Sequence, residues 1–230
     1  MARFKTYSIE TRQLVALAFA AQRANGALHK DATYFDTEKD AIVEVTPNKV
    51  LMRDSFAIEP GSNPELVVTE QDLEDADTAM AAIQQEVMLK RLSDQRVNEF
   101  MATLADKMSE PKCDSRDCGL IAFVPTTYRR LVETQAKKET TVMLGANSQY
   151  LGAVGDKVEL DFVMIDNRFM MQYNCYSVNG HDGQGNLVNF LTAHKELATS
   201  GRIKGKVKRT ETSRWHNNAC VTQLNFVKVA

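Results

Sequence analysis

The hydrophobic period of this 230-residue chain changes once, near residue 150, and that change limits the fold more than any other feature. Before it, apolar residues recur every three to four positions, the spacing of one helix face. After it they alternate, which is the spacing of half-buried strands. The chain therefore reads as α+β, with a mainly helical region over 1–149 and a β domain over 150–230. A hydrophobic content of 43% suffices for one large core or two modest ones.

The helical half carries its own punctuation. In "SIETRQLVALAFAAQRANG" a cap at Ser8 or Thr11 precedes a stripe of Leu14, Val15, Leu17, Ala18 and Ala21, and Gly26 stops it. "AIVEVTPNKVLMRDSFAIEPGSNP" mixes β-branched runs with prolines, which predicts short strands or a strand pair leading into a loop. The stretch from Thr69 to Glu110 is the most helical. Thr69 caps it, acids fill the first turn, and Leu73, Ala76, Met80, Ile83, Val87 and Leu92 form one stripe. Ser93 reads as the cap of a second helix bearing Val97, Phe100, Met101, Leu104 and Met108. Two antiparallel helices packed on the first follow. In "GLIAFVPTTYRRLVETQAKKETTVML", Pro125 breaks a buried piece, and Tyr128, Arg129, Arg130, Lys137 and Lys138 follow on a further helix.

Past residue 150, five strands are expected. They are "DKVELDFVMI", "RFMMQYNCYSV", "LVNFLTA", "RIKGKVKRT" and "CVTQLNFVKV", with "NGHDGQGN" as the turn between the second and third. Three consecutive strands, a short connection and two more fit a five-stranded OB-like barrel. An open five-stranded antiparallel sheet or one half of a sandwich fits the same pattern.

Charge separates the halves as well. The net charge is −2, but residues 151–230 hold ten Lys/Arg against seven Asp/Glu, and from 201 onward seven against one. In "RIKGKVKR", Lys204, Lys206 and Lys208 share one strand face, about 6.5–7 Å apart, while Ile203 and Val207 point the other way. Such a row suits the repeating charge of an extended nucleic-acid strand; a lysine-blunted edge strand reads the same way. Arg209, Arg214 and Trp215 adjoin it, and Arg168, Tyr173, Tyr176 and Phe190 lie on the second and third strands. Single-strand binders combine cations for phosphates with aromatic faces for bases. Lys204, Lys206, Lys208, Arg209 and Arg214 are thus candidates for phosphate contacts, extended by Arg129 and Arg130. Trp215, with Tyr173, Tyr176 or Phe190, is a candidate for stacking.

Other chemistry finds little support in the residues. Cys113 and Cys118, with Cys175, Cys220 or His181, could supply four zinc ligands, but the second close pair of a structural site is missing. The glycines of "GHDGQGN" join two strands, whereas a phosphate loop opens a helix. No nucleophile elbow or H-E-x-x-H is present, and no catalytic residue, metal or cofactor is expected. Four scattered cysteines read as reduced. No run approaches the roughly 20 apolar residues of a membrane span, and "MARFKTYSIETRQ" is not a secretory signal, so a cytoplasmic location is expected.

The order of "TEQDLEDADTAMAAIQQEVMLKRLSDQRVNEFMATLADK", "GLIAFVPTTYRR", "YLGAVGDKVELDF", "GRIKGKVKR" and "TQLNFVKV" resembles a group of small bacteriophage proteins over roughly 65–230. Those pair a helical N-terminal part with an OB-like C-terminal part and bind single-stranded DNA in replication or recombination. "NRFMMQYNCYSV" departs from the pattern by lacking a Tyr-Gly in the second strand. The resemblance implies a non-catalytic single-stranded DNA-binding protein of the host cytoplasm, acting in replication, recombination or transcription. Its helical part would form a homo-oligomer or dock a replication protein or RNA polymerase. The alternative is a structural or adaptor protein whose helical part docks a phage or host protein.

Overall fold

The structure, a computed structural model, describes residues 7–56, 66–194, 198–213 and 218–229. The chain forms two compact units, Met1–Val132 and Glu133–Ala230. The division falls inside a helix, not at the first strand near 150 as expected from the change of period. The last turns of that helix pack with the second unit, through Leu144 and Lys137.

The first unit contains β1 (Ser8–Glu10), α1 (Thr11–Asn25), β2 (Thr33–Asp36), β3 (Ala41–Glu44), α2 (Asn48–Phe56), α3 (Glu70–Leu92), α4 (Glu99–Met108), β4 (Lys112–Asp114), α5 (Cys118–Ile121) and the start of α6 (Val124–Gly145). Leu14, Val15, Ala18 and Ala21 of α1 are fully buried, and Gly26 takes the left-handed conformation that ends the helix. α3 opens with the expected cap: Thr69 Oγ1 accepts from the Asp72 N–H, and Asp72 Oδ2 accepts from the Thr69 N–H. Burial alone would raise the Asp72 pKa. The Arg23 guanidinium at 2.8 Å, with the Thr69 N–H and hydroxyl, outweighs it and holds the carboxyl below its usual value. Arg12–Asp77 and Arg23–Asp72 lay α3 antiparallel to α1, and Gln84–Ser109 and Arg91–Asp106 do the same for α4 on α3.

Two local expectations change. "NKVLMRDSF" is the helix α2, and the strand pair lies one step earlier, as β2 against β3. The helix wins because Asn48 and Met52, one turn apart, are both buried, with Asn48 Oδ1 accepting from the His29 N–H and from Asn25 Nδ2. Ser93 closes α3, donating its N–H to the Leu89 carbonyl, and it is Asn98 that caps α4. Pro125 sits in the first turn of α6, where a missing N–H costs nothing.

The second unit is a closed five-stranded barrel: β5 (Lys157–Met170), β6 (Cys175–Asp182), β7 (Leu187–Thr192), β8 (Ser200–Ser213) and β9 (Ala219–Val229), in the order β5-β6-β7-β9-β8. All pairings are antiparallel except β7 with β9, which is parallel. The barrel is therefore mixed, and it is compatible with an OB-like fold. Phe162, Val178, Val188, Phe190, Ile203, Val207 and Leu224 fill its interior. Outside the wall, Leu187, Ala219 and Val221 form a second small cluster with Leu144 and Ile165.

The β5–β6 hairpin is shifted relative to the expected strands. β5 continues through Arg168 to Met170, and the chain turns at 171–174, where Asn174 is left-handed. Much of "NGHDGQGN" is strand, with the turn at 183–186. Gly180 is not a turn residue: a Cβ there would lie 2.2 Å from the Val163 carbonyl oxygen and 2.4 Å from the Phe162 ring. β5 shifts register between Met164 and Asp166, so residues beyond it exchange faces. Among the described residues no helix is long and apolar enough to cross a membrane.

Candidate nucleic-acid interface

The lysine row lies on the outer wall of the barrel. Along β8, Ile203 and Val207 are buried while Lys204, Lys206 and Lys208 are exposed. Gly205, between the first two, is an inward position whose absent side chain leaves room for Leu224 and Val227, each 3.3 Å from where a Cβ would stand.

The register adds cations that the sequence does not place together. On one side Lys206 lies directly opposite Lys157 of β5; on the other Lys204 lies directly opposite Lys228 of β9. Opposed residues on antiparallel strands bring their Cβ atoms to about 4.5–5.5 Å, and like charges there are destabilising. The wall carries two such pairs.

Carboxylates neutralise only part of this surface. Glu159 lies opposite Lys204 and holds both Arg202 (Nε–Oε1, 2.9 Å) and Lys204 (Nζ–Oε2, 3.3 Å). Arg209 pairs with Glu211 at 3.0 Å. Lys157, Lys206, Lys208 and Lys228 make no ion pair with a described residue.

One aromatic side chain stands within the charged wall, and strand alternation misassigns it. β9 places Phe226 and Val227 opposite the single residue Gly205, because Lys228 faces Lys204 while Asn225 faces Lys206. This is a β-bulge. Phe226 takes φ of +54°, and its ring is 80% exposed between Asn225 and Lys228. Positive φ is unusual for a bulky residue and costs on the order of 1–2 kcal/mol. The signal was present in "TQLNFVKV": strict alternation from buried Leu224 would send Lys228 into the core, so one extra residue has to intervene.

The expected rings distribute differently. Phe190 is only 2% exposed and packs edge-to-face on Phe162 at 5.3 Å inside the barrel. It is a core residue and presents no face on the outer wall, because the outward positions of β7 are its odd-numbered neighbours Asn189 and Leu191. Tyr176 is half-buried, paired across the hairpin with exposed Phe169 at a centroid distance of 5.0 Å. Tyr173, in the turn, is 60% exposed. These rings occupy the far end of β5 from Lys157, separated from it by most of the strand, and do not share the lysine wall. Arg168 is exposed next to Phe169. Arg129 and Arg130 are exposed on α6 within the first unit. Arg214 and Trp215 lie outside the described residues.

The cysteines do not gather. Cys113 is buried beside the Thr11 hydroxyl, and burial pushes the Cys118 thiol up to about 12. Among the described residues no group of three or more His, Cys, Asp or Glu is placed to hold a metal ion.

Comparison with family models, with curated proteins and with solved structures returned no match for this chain.

Proposed function

We propose that the barrel binds single-stranded nucleic acid, DNA in the first instance, without catalysing a reaction on it. One observation carries this reading: two directly opposed lysine pairs, Lys157–Lys206 and Lys204–Lys228, surround an exposed ring held at positive φ. Each of these features opposes folding, and an anionic, unstacked strand turns both to use. Phosphates neutralise the opposed ammonium groups, and a base covers the exposed Phe226 face. Neither interaction reads sequence, so broad base tolerance is expected. In this reading, Lys206, Lys208, Lys157 and Lys228 take phosphates first, and Lys204 and Arg209 join when their carboxylate partners release them. Tyr173 and Phe169, with Arg168, would extend the path. The resemblance to phage single-strand-binding proteins points the same way and suggests replication, recombination or transcription as the setting.

The decisive experiment is a binding series with ssDNA, dsDNA and ssRNA at two salt concentrations, followed by fluorescence anisotropy. Preference for single strands with steep salt dependence is expected. Absence of binding at low salt to every one of them refutes the reading.

The adaptor role has support in the first unit. Phe35 and Ile42 oppose each other across the β2–β3 hairpin and both are exposed, as are Met88, Leu89 and Leu92 at the end of α3. An isolated two-stranded hairpin with no buried face is marginal in water. A protein partner on this unit, such as a replication protein, an RNA polymerase or a second copy, would account for it. A stable protein complex together with no nucleic-acid binding would favour the adaptor reading.

A further inference from the structure

Where β7 ends and β8 begins, the barrel holds a cavity of about 420 Å³. Its walls are apolar: Phe162, Phe190, Ile203 and Val227 line it, with the edge-to-face Phe162–Phe190 pair inside. Thr192, His194, Ser200 and Lys228 are its polar lining residues. The volume falls in the range of pockets that hold small ligands.

The position of this cavity connects features that the wall alone leaves apart. Lys228 lines the cavity and is also the cross-strand partner of Lys204. Thr192 lines it and is the cross-strand partner of Tyr176, whose ring packs on Phe169. This end of the barrel thus lies between the cationic wall and the ring pair of the β5–β6 hairpin. A chain passing from lysines to rings crosses it.

The lining selects the occupant by chemistry. Apolar walls with an aromatic edge favour a flat, uncharged ring. Thr192, on the inward face of β7, and His194 suit polar atoms at that ring's edge, and exposed Lys228 suits an anion attached to it. We propose that the cavity takes one unpaired nucleobase of a bound single strand, with its phosphate on Lys228. This rests on the reading of the barrel as a single-strand binder. It adds that one nucleotide is held inside the barrel while its neighbours lie along the surface.

The test uses the full chain and fluorescein-labelled oligo-dT near the minimal binding length, about 4–16 nucleotides for a barrel of this kind. One nucleotide at a time is replaced by an abasic residue. A single position should weaken binding about tenfold, within the range of one lost base contact, while the others change it little. Ala198 is exposed and lines the cavity, so Ala198→Trp fills the space without replacing a lysine. It should lower affinity for the intact oligonucleotide by a similar factor and abolish the position dependence, leaving the salt dependence unchanged. Thr192→Val, which keeps the shape, should weaken binding in the same positional pattern. If Ala198→Trp melts like the wild type and binds with the same affinity and profile, the cavity proposal is overturned alone. Displacement of a fluorescent fatty acid by Ala198→Trp, without any positional effect of abasic residues, overturns it in favour of a lipid. If the wild type binds no oligonucleotide, both this proposal and the reading beneath it fall.

Discussion

The salt dependence of binding can be worked out from the ion pairs on the barrel wall. Four lysines, Lys157, Lys206, Lys208 and Lys228, are not engaged by a described carboxylate. If each neutralises one phosphate of a single strand, log K against log salt should have a slope of about −2.8. Affinity then falls about 50-fold between roughly 50 and 200 mM salt. Replacing Lys206 and Lys208 together by Gln should reduce the slope to about −1.4 and the loss to about sevenfold. Lys204→Gln should do less than either, because its charge is already shared with Glu159. Glu159→Gln is the sharper perturbation: it frees Arg202 and Lys204 at once, so the slope should steepen by up to about 1.4 and low-salt affinity should rise. Fluorescence anisotropy with labelled oligo-dT over a salt series measures all three variants. The side chains are exposed, so melting temperatures should move by little, upward in the double lysine variant as the repulsion between Lys157 and Lys206 is relieved. An unchanged slope in the double lysine variant, or a shallower one in Glu159→Gln, would refute the assignment of phosphates to this wall.

Phe226→Gly should raise stability by about 1 kcal/mol by relieving the positive φ, yet weaken oligo-dT binding by about 1–3 kcal/mol, as read by thermal melting and anisotropy on one preparation. Equal binding would remove Phe226 from the site. Gly180→Ala should cost about 3 kcal/mol or more, because the new methyl meets the Val163 carbonyl oxygen and cannot displace backbone cheaply; chemical denaturation should show a destabilised barrel. Asp72 titrates below its usual value of 3.8 when folded, so its contribution is present above that pH and is lost as pH falls through the lower folded value. Asp72→Asn should flatten part of the acid limb of the stability curve, and a limb identical to wild type would contradict the Arg23 and Thr69 contacts. The Cys118 thiol, raised to about 12 by burial, should resist iodoacetamide at pH 8 until denaturant is added. Mass spectrometry of the native protein showing rapid alkylation there would contradict its burial.

The parts of the fold that were readable in sequence are those where a local rule matches the tertiary outcome. Thr69 with Asp72 writes the start of α3, Gly26 the end of α1, and Pro125 the start of α6. The alternation of Ile203 and Val207 with three lysines sets which face of β8 is wet. The local rules failed where two signals competed. In "NKVLMRDSF" the β-branched content suggested a strand, and burial of Asn48 with Met52 made it a helix. In "NGHDGQGN" the turn between the strands is kept at 183–186, but Gly180 belongs to the strand, because of the close approach of Phe162 and Val163.

The sequence by itself determined that a helical half precedes a β half, that the chain's positive charge concentrates near its C-terminal end, and that three lysines share a strand face. These depend on residues a few positions apart, which backbone geometry alone relates. Only the tertiary structure decided that Lys157 and Lys228 flank that row, that Phe226 stands out of a bulge among them, and that Phe190 is inside. Those are matters of strand register and barrel closure, which depend on pairings between segments up to about 50 residues apart. A shift of one residue in either pairing would turn every side chain to the other face.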